Sequence, residues 1–230
     1  MIFTRKIKDT FKESLSAFLL TLLVAVLGFA YFEPNITQSA EGTFQITQTV
    51  TAELTFLTAP SDIVMSPQLA GITGGTSNGG TQFIVKTNNS TGFSVTITAS
   101  SSAGMVGNQE GGTIPALITA TPGVPDYSFD APTNSAAFGY TISASTTGEI
   151  TEPFRDNGSN TCNTGSTEGT ATCWLDATTT PYTIINRSTE TDSSGATSTI
   201  EFRVQIAADP APAIPEDTYV ATTTLTATLN

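Results

Sequence analysis

Apolar and polar residues alternate with a period of two along several stretches of the chain. In the last stretch, residues 219–229, one set of positions is mostly Thr and the other set carries the larger side chains: Tyr219, Ala221, Thr223, Leu225, Ala227 and Leu229. Such alternation, rich in β-branched residues, is typical of a strand with one face on a core and one face in water. Pro215 cannot donate a ladder hydrogen bond, so we expect pairing to begin after it.

The same alternation predicts further strands before this one. The turn residues Asn88 to Gly92 separate two of them and indicate a hairpin. A glycine-rich stretch, residues 71–80, could cradle a phosphate, but no Lys follows it and no helical pattern opens after it. We therefore interpret it as a mobile hairpin connection. The further strands are predicted over residues 44–56, 63–65, 82–87, 93–99, 138–142, 182–186 and 199–206.

These strands predict an all-β fold, an antiparallel immunoglobulin-like β-sandwich with long loops. The sandwich is expected to occupy residues 44–230 and to carry a loop-rich insertion at about residues 100–197. Within the insertion we expect residues 100–135 and 145–180 to form long decorated loops rather than a second domain. The predicted core residues are Val50, Leu54, Phe56, Phe93, Val95, Ile97, Phe202, Val204, Ile206 and Leu225.

The N-terminal part differs from the rest. Residues 1–16 contain four basic side chains, and residues 17–32 are apolar apart from Thr21 and a tyrosine hydroxyl. This pattern predicts that residues 1–32 are a signal peptide, with cleavage near Gly28 to Ala30, or an N-terminal membrane anchor through residues 17–32 if they are not cleaved. Residues 33–43 would form a flexible lead. In both cases the charge pattern places the remaining chain outside the cell.

The negative charge of the chain after residue 30 argues against some classes of binding partner. From residue 31 onward, 18 acidic and 4 basic residues give a net charge of about −14. A domain this acidic repels phosphate backbones, so nucleic acid is not an expected partner. Self-association, or a cell-envelope or glycan partner, stays open.

The two cysteines lie eleven positions apart, and the chain has no His. A metal site would need His or further Cys, and a redox pair usually has Cys-x-x-Cys spacing. We therefore predict a structural disulfide between Cys162 and Cys173 in an extracellular protein. The adjacent Trp174 is expected to pack on the bridge or on a sheet face, and a sugar-stacking platform is the alternative.

Oxygen-bearing side chains offer only weak candidates for chemistry. Asp156, Asn157 and Asn160 surround a turn glycine as in part of a calcium loop, yet they lack the spaced acids and the distal Glu. Two carboxylate pairs could in principle serve a glycosidase, but their neighbourhoods indicate solvated loops: Asp126 with Asp130, and Glu149 with Glu152. No cofactor and no enzymatic activity are expected.

Several strings give the chain a family resemblance: residues 59–67, 71–76, 87–92, 138–140 and 214–222. Through them it resembles uncharacterised exported immunoglobulin-like β-sandwich surface proteins of small-genome candidate-phylum bacteria, over most of residues 40–230. The last strand is similar in style to the ends of WxL-type and coat-protein-U-like sandwiches. Trp174-Leu175 does not fit the paired Trp-x-Leu motifs, so peptidoglycan binding does not carry over.

Three functions are consistent with these features. The first is an exported, non-enzymatic surface protein with a structural or adhesive role. The second is a subunit of a surface fibre, in which the segment around residues 43–56 donates a strand to a neighbour. The third is a carbohydrate-binding or carbohydrate-active domain.

Overall fold

The computed structural model describes residues 3–31, 41–145, 149–156, 158–163 and 172–230. The chain divides into two units, Met1–Thr49 and Val50–Asn230. The first unit contains helix α1 (Phe3–Tyr31), and its residues 41–49 have no regular secondary structure. Within the described part of the chain, no helix combines the length and the apolar character needed to cross a membrane.

The second unit is built from strands. Its described residues contain a single 3₁₀ turn, Glu152–Phe154, and no α-helix. The strands are β1 (Leu54–Thr58), β2 (Gly75–Thr87), β3 (Phe93–Ala99), β4 (Met105–Gly107), β5 (Thr113–Ile114), β6 (Ala136–Ala144), β7 (Tyr182–Arg187), β8 (Ala196–Ile206), β9 (Tyr219–Val220) and β10 (Thr223–Leu229).

The strands form antiparallel sheets, as the all-β prediction requires. The largest sheet has the order β1-β2-β8-β6, and the second has the order β10-β3-β7. A small third sheet has the order β5-β4-β9. The predicted strands near residues 138, 182 and 199 correspond to β6, β7 and β8.

The apolar faces of the two larger sheets share one core. Alternate residues of β8 are buried, including Phe202 and Val204, and so are Phe93, Val95 and Ile97 of β3. Removing each such side chain from water stabilises the fold by about 1.5–3 kcal/mol. The core prediction is correct for these inner strands, because the apolar set of their alternating residues lies on the buried face of each sheet.

The predicted hairpin between residues 82–87 and 93–99 is wrong. Its two strands belong to different sheets, because β2 pairs with β1 and β8 whereas β3 pairs with β7 and β10. The turn itself forms, with the Gly92 N–H donating to the Asn89 carbonyl at 2.9 Å and a Gly92 φ of 78°. A local turn signal therefore indicates the reversal correctly but does not determine whether the flanking strands pair.

The glycine-rich stretch is not a mobile connection. Its second half is the start of β2, which pairs with β8 from Gly75 onward. A Cβ at Gly79 would lie 2.5 Å from the Ile63 side chain, so glycine permits residues 63–65 to pass close to the strand. Those residues do not form the predicted strand, and pairing there is limited to two 2.9 Å hydrogen bonds between Ser66 and Asn78.

The first and last alternating runs are shorter strands than predicted. The first run pairs only over β1, and Val50 is 79% exposed rather than in the core. Leu54, Phe56 and Leu225 pack against the core but are only partly buried. The last run divides at Ala221 into β9, which pairs with β4, and β10, which pairs with β3.

The loop-rich insertion contributes to the core instead of decorating it. It contains β4 and β5, and several of its side chains are buried. Loops of this kind exclude water from the open sides of the sheets. The buried apolar residues include Ile114, Leu117, Phe129, Ile150, Phe154, Trp174 and Leu175.

Candidate functional site

β10 is an edge strand whose outer side has no strand partner among the described residues. On its inner side the Ser100 N–H donates to the Thr222 carbonyl at 2.9 Å, so the main-chain groups of even-numbered residues face β3. Because N–H and C=O groups alternate in direction along a strand, the odd-numbered residues direct theirs outward. We call this row the free edge of β10: Thr223, Leu225, Ala227 and Leu229.

Within its own sequence and its register with β3, β10 carries none of the features that usually protect an edge strand. Such edges are commonly blocked by Lys, Pro, a bulge, short length or a covering loop, because they pair readily with other chains. β10 has seven residues, none charged and none Pro, and its register with β3 has no shift. The adjacent edge strand β1 is shorter and is interrupted by a register shift after Phe56.

The outer edge of β6, by contrast, is covered by loops. The Phe138 N–H donates to the Pro115 carbonyl at 2.8 Å, and the Leu117 N–H donates to the Phe138 carbonyl at 2.7 Å. Further along, Tyr140 and Leu175 exchange two hydrogen bonds of 2.8 and 2.9 Å. These bonds occupy the main-chain groups that point away from β8, so β6 offers no free row in this region.

The outer edge of β7 is covered in the same way. The Asn186 N–H donates to the Glu149 carbonyl at 2.7 Å, and the Thr151 N–H donates to the Ile184 carbonyl at 3.1 Å. In the described part of the chain, the edge of the second sheet that no loop covers with main-chain hydrogen bonds is therefore the one formed by β10.

The segment before β1 presents apolar side chains to solvent. We call residues 41–50 the arm; Phe44, Ile46 and Val50 are 84%, 86% and 79% exposed. They alternate with Gln and Thr, so an extended arm places all three on one face. An exposed row of large apolar side chains is unusual for the surface of a monomeric protein.

Asn88 fixes the point where the arm ends. Its Oδ1 accepts the Glu53 N–H at 2.7 Å, and its Nδ2 donates to the Thr51 carbonyl at 3.1 Å. The Thr87 hydroxyl adds a bond of 2.6 Å to the Glu53 carbonyl. The chain is thus held in place from Thr51 onward. The sequence signals only a turn at Asn88, so this tethering role was not predicted.

The predicted disulfide is confirmed. The sulfur atoms of Cys162 and Cys173 are 2.00 Å apart, with a Cα–Cα distance of 5.9 Å. Both residues belong to the main core cluster, and Cys173 is fully buried. The bridge is therefore structural, since a redox-active pair needs an accessible sulfur.

Trp174 packs on the outer face of the largest sheet, as one of the two predicted alternatives requires. Its ring meets Phe129 edge-to-face at 5.2 Å, and the Arg203 guanidinium lies 4.3 Å from its centre. Only 4% of Trp174 is exposed, so the ring cannot serve as a sugar-stacking platform. The alternation of β8 places Arg203 on this face, but the contact itself depends on loop placement and was missed from sequence.

The calcium candidates form a turn around Gly158. Asp156 is buried; its Oδ1 accepts the Gly158 N–H at 2.6 Å, and its Oδ2 accepts the Thr172 hydroxyl at 3.3 Å. Asn160 adopts a φ of 61°, which Asn tolerates in turns, and Asn157 lies outside the described residues. Among the described residues, no group of three His, Cys, Asp or Glu side chains is placed to hold a metal. Calcium at this turn stays only the weak candidate that the sequence offers.

The structure does not bring the proposed carboxylate pairs into one active site. Asp126 Oδ2 accepts the Ala120 N–H at 2.7 Å, and Asp126 and Asp130 line a shallow cavity of about 280 Å³. That volume lies at or below the lower limit for typical small-molecule pockets, about 300 Å³. Glu152 is exposed in the 3₁₀ turn, whereas Glu149 is buried.

Glu149 is not solvated, so the sequence interpretation of its neighbourhood is wrong. Its Oε1 forms an ion pair with Arg187, whose guanidinium also donates to the carbonyls of Thr189 and Glu190. An arginine that holds a buried carboxylate and two carbonyls has a structural role. The partner, 38 residues away in sequence, could not be identified from local pattern.

No protein-family model matches the chain. A search among curated proteins also finds no significant match.

Proposed function

We propose that this is an exported, non-enzymatic cell-surface protein whose immunoglobulin-like β-sandwich has a structural or adhesive role. The observation that carries the proposal is the Cys162–Cys173 disulfide, because such bridges persist in oxidising spaces outside the cytoplasm. The basic and then apolar pattern of residues 1–32 supports the same location and is interpreted as a signal peptide.

The surroundings of the carboxylates support a non-enzymatic role. Catalytic acids and bases usually sit together in a cleft with perturbed pKa values. Glu149 is held by Arg187, and the carboxylate of Asp126 is held by a main-chain N–H. Three other carboxylates have shifted pKa values, each with a local cause. Hydrogen bonds lower the pKa of Asp192 (from Ser194) and of Asp217 (from Gln109), and burial raises the pKa of Asp176.

Cell fractionation with thiol labelling tests the location. The protein should be found in the cell-surface or secreted fraction, and it should react with a maleimide only after reduction. N-terminal sequencing of the recovered protein should begin near residue 31. A cytosolic protein with two reactive thiols would refute the proposal.

A second candidate function is a subunit of a surface fibre that donates a strand to its neighbour. The exposed apolar row of the arm supports it, because strand addition provides main-chain hydrogen bonds together with side-chain contacts. In this function, the main-chain groups of the arm, which pair with no strand in a single chain, would form β-sheet hydrogen bonds with a neighbouring subunit in the polymer.

Deleting residues 41–50 tests the fibre function. Negative-stain microscopy of cells should show filaments with the wild-type protein and none with the deletion, while the protomer remains folded. A matched pair of variants refines the test: Phe44→Ser with Ile46→Ser should prevent assembly, and Gln45→Ser with Thr47→Ser should not. A wild-type protein that is monomeric at high concentration, without filaments on cells, would contradict this function.

A further inference from the structure

We infer that residues 43–50 of one copy add as a strand to the free edge of β10 in a second copy. This inference rests on the fibre candidate and names the surface that receives the donated strand. Four properties of the two segments support it: their lengths, their side-chain patterns, their charges and the direction in which the chain enters the second unit.

The lengths of the two segments match. At about 3.4 Å per residue, the eight residues 43–50 span roughly 27 Å and the seven residues of β10 span roughly 24 Å. Every outward main-chain group of β10 could therefore face a residue of the donated strand. β1, which has five residues and a register shift, offers a shorter and less regular row.

The side-chain patterns are complementary. On β10 the side chains of Leu225 and Ala227 point toward the core but are only partly buried, as are those of Leu54 and Phe56 on the adjacent β1. A strand added beside β10 would place one of its faces over this incompletely covered border. The arm has a suitable face, with Phe44, Ile46 and Val50 on the same side, and its other face carries Gln and Thr for contact with water.

The charges permit two copies to meet at these segments. The chain has a net charge of −12, so copies repel one another over most of their surface. Residues 42–52 and residues 218–230 contain no charged side chain. Docking one segment on the other therefore requires no carboxylate to be desolvated or brought beside another carboxylate.

The chain direction favours a second copy over the same copy. β1 runs antiparallel to β2, and Thr51 and Glu53 lie beside Asn88, just beyond the last residue of β2. Within the second unit, the chain thus reaches β1 at the Thr87 end of β2. To pair with its own β10, the arm would have to reverse direction between Val50 and Thr51.

Mixed disulfide formation between variants that each carry one added cysteine tests the inference. The full chain is expressed in a secreting host and purified as that host processes it, with the native bridge retained. One protein carries Thr47→Cys, and its partner carries Thr224→Cys, Thr226→Cys or Thr228→Cys, all on the solvent-facing side of β10. After mild oxidation of the mixture, mass spectrometry identifies disulfides between the two different chains.

We expect a mixed disulfide with at least one of the three β10 cysteines, because residues opposite one another on adjacent strands have Cβ atoms close together. Thr55→Cys on β1 is the matched acceptor control and should react little. In the donor, Ile46→Asp should reduce the yield by about tenfold or more, since that side chain faces the core border. Thr49→Asp, on the opposite face of the arm, should leave the yield nearly unchanged.

Other outcomes overturn the inference. Equal yields with Thr55→Cys indicate random collision, and a higher yield there makes β1 the acceptor. A chain carrying both Thr47→Cys and Thr226→Cys that closes only within a monomer indicates pairing with its own β10. If deletion of the arm abolishes filaments but no β10 cysteine reacts, the fibre function stands and the acceptor is wrong. If the wild-type protein neither assembles nor cross-links, both proposals fail.

Discussion

The guanidinium carbon of Arg203 lies 4.3 Å from the centre of the Trp174 ring on the outer face of the largest sheet. Its Nε donates to Asn78 Oδ1 at 2.8 Å, and its carbon is also 5.6 Å from the centre of the Phe129 ring. Burial lowers the pKa of Arg203 from its ordinary value, but an arginine remains charged at neutral pH. One side chain of β8 thus joins β2 to the loop that carries Trp174.

Replacing Arg203 with Ala should lower the free energy of unfolding by about 1–3 kcal/mol, because the cation–π contact, the hydrogen bond and the packing of the aliphatic stem are lost together. Arg203→Lys should recover part of the loss, since an ammonium keeps the charge without the planar stacking. Urea denaturation followed by tryptophan fluorescence measures both. Lys86→Ala, which removes a cation elsewhere on the same sheet, is the control; an equal loss there would argue against a specific contact.

Removal of the disulfide by Cys162→Ala with Cys173→Ala should lower the free energy of unfolding by about 2–3 kcal/mol, because the unfolded chain is no longer closed into a short loop. Urea denaturation with and without a reducing agent measures the effect. The reducing agent should destabilise the wild-type protein and leave the double variant unchanged. If the reducing agent leaves the urea denaturation curve of the wild-type protein unchanged, even though unfolding exposes the cysteines to it, the bridge is not formed.

Asp217→Asn should lower the stability at neutral pH and weaken its dependence on pH in acid. The Asp217 carboxylate accepts the N–H groups of Gln109, Glu110 and Thr218, and the Gln109 bond contributes most to lowering its pKa. A lowered pKa in the folded state stabilises the protein above the unfolded pKa of about 4, and this contribution disappears as the pH falls through the folded value.

Thermal melts from about pH 6 to pH 2 measure this effect. The wild type should lose stability more steeply than Asp217→Asn below about pH 4, so that the difference between them shrinks in acid. Glu216→Gln is the control for the loss of one exposed carboxylate beside Asp217. Parallel curves for wild type and Asp217→Asn would contradict the assignment.

Tyr140→Phe should leave the protein as stable as the wild type or stabilise it by up to about 1 kcal/mol, because no described residue forms a hydrogen bond with this buried hydroxyl. Burial also raises the pKa of Tyr140 well above its ordinary value, so the phenol stays neutral. Tyr182→Phe is the control. Its hydroxyl donates to the Gly123 carbonyl at 3.1 Å, and its removal should cost a few tenths of a kcal/mol or more. A large loss in Tyr140→Phe would reveal an essential partner for the hydroxyl.

The strands themselves could be predicted from sequence, but their pairing could not. Apolar and polar side chains alternate strictly along β3 and β8, because one face of each strand is buried in the core and the other is partly exposed to water. Residues 44–50 alternate just as well, yet they are not paired in a strand. An alternating pattern shows only that a segment could form a β-strand, and not that a partner strand is present. The buried state of Glu149 depends on Arg187, and the strand at Gly79 depends on the close passage of Ile63. Both contacts are distant along the chain and leave no local signal.

One half of the candidate site, the donor segment, could be predicted from the sequence, and the other half, the acceptor strand, could not. The sequence indicated a donor segment around residues 43–56, and the structure restricts the exposed part by showing the tether at Asn88. The acceptor could not be identified, because which edge is free depends on which loops cover β6 and β7. Those loops appear in sequence only as Gly-, Ser- and Thr-rich segments.

The change of sheet at residues 88–92 gives the fold a high contact order and delays its assembly. Ser94 of β3 meets Thr228 across 134 positions, and Asn78 of β2 meets Arg203 across 125. A nascent chain therefore cannot complete either of the two larger sheets until β8 and β10, near its end, have been synthesised. Since such non-local topologies fold slowly, we expect the two larger sheets to close only after the synthesis of β10 is complete.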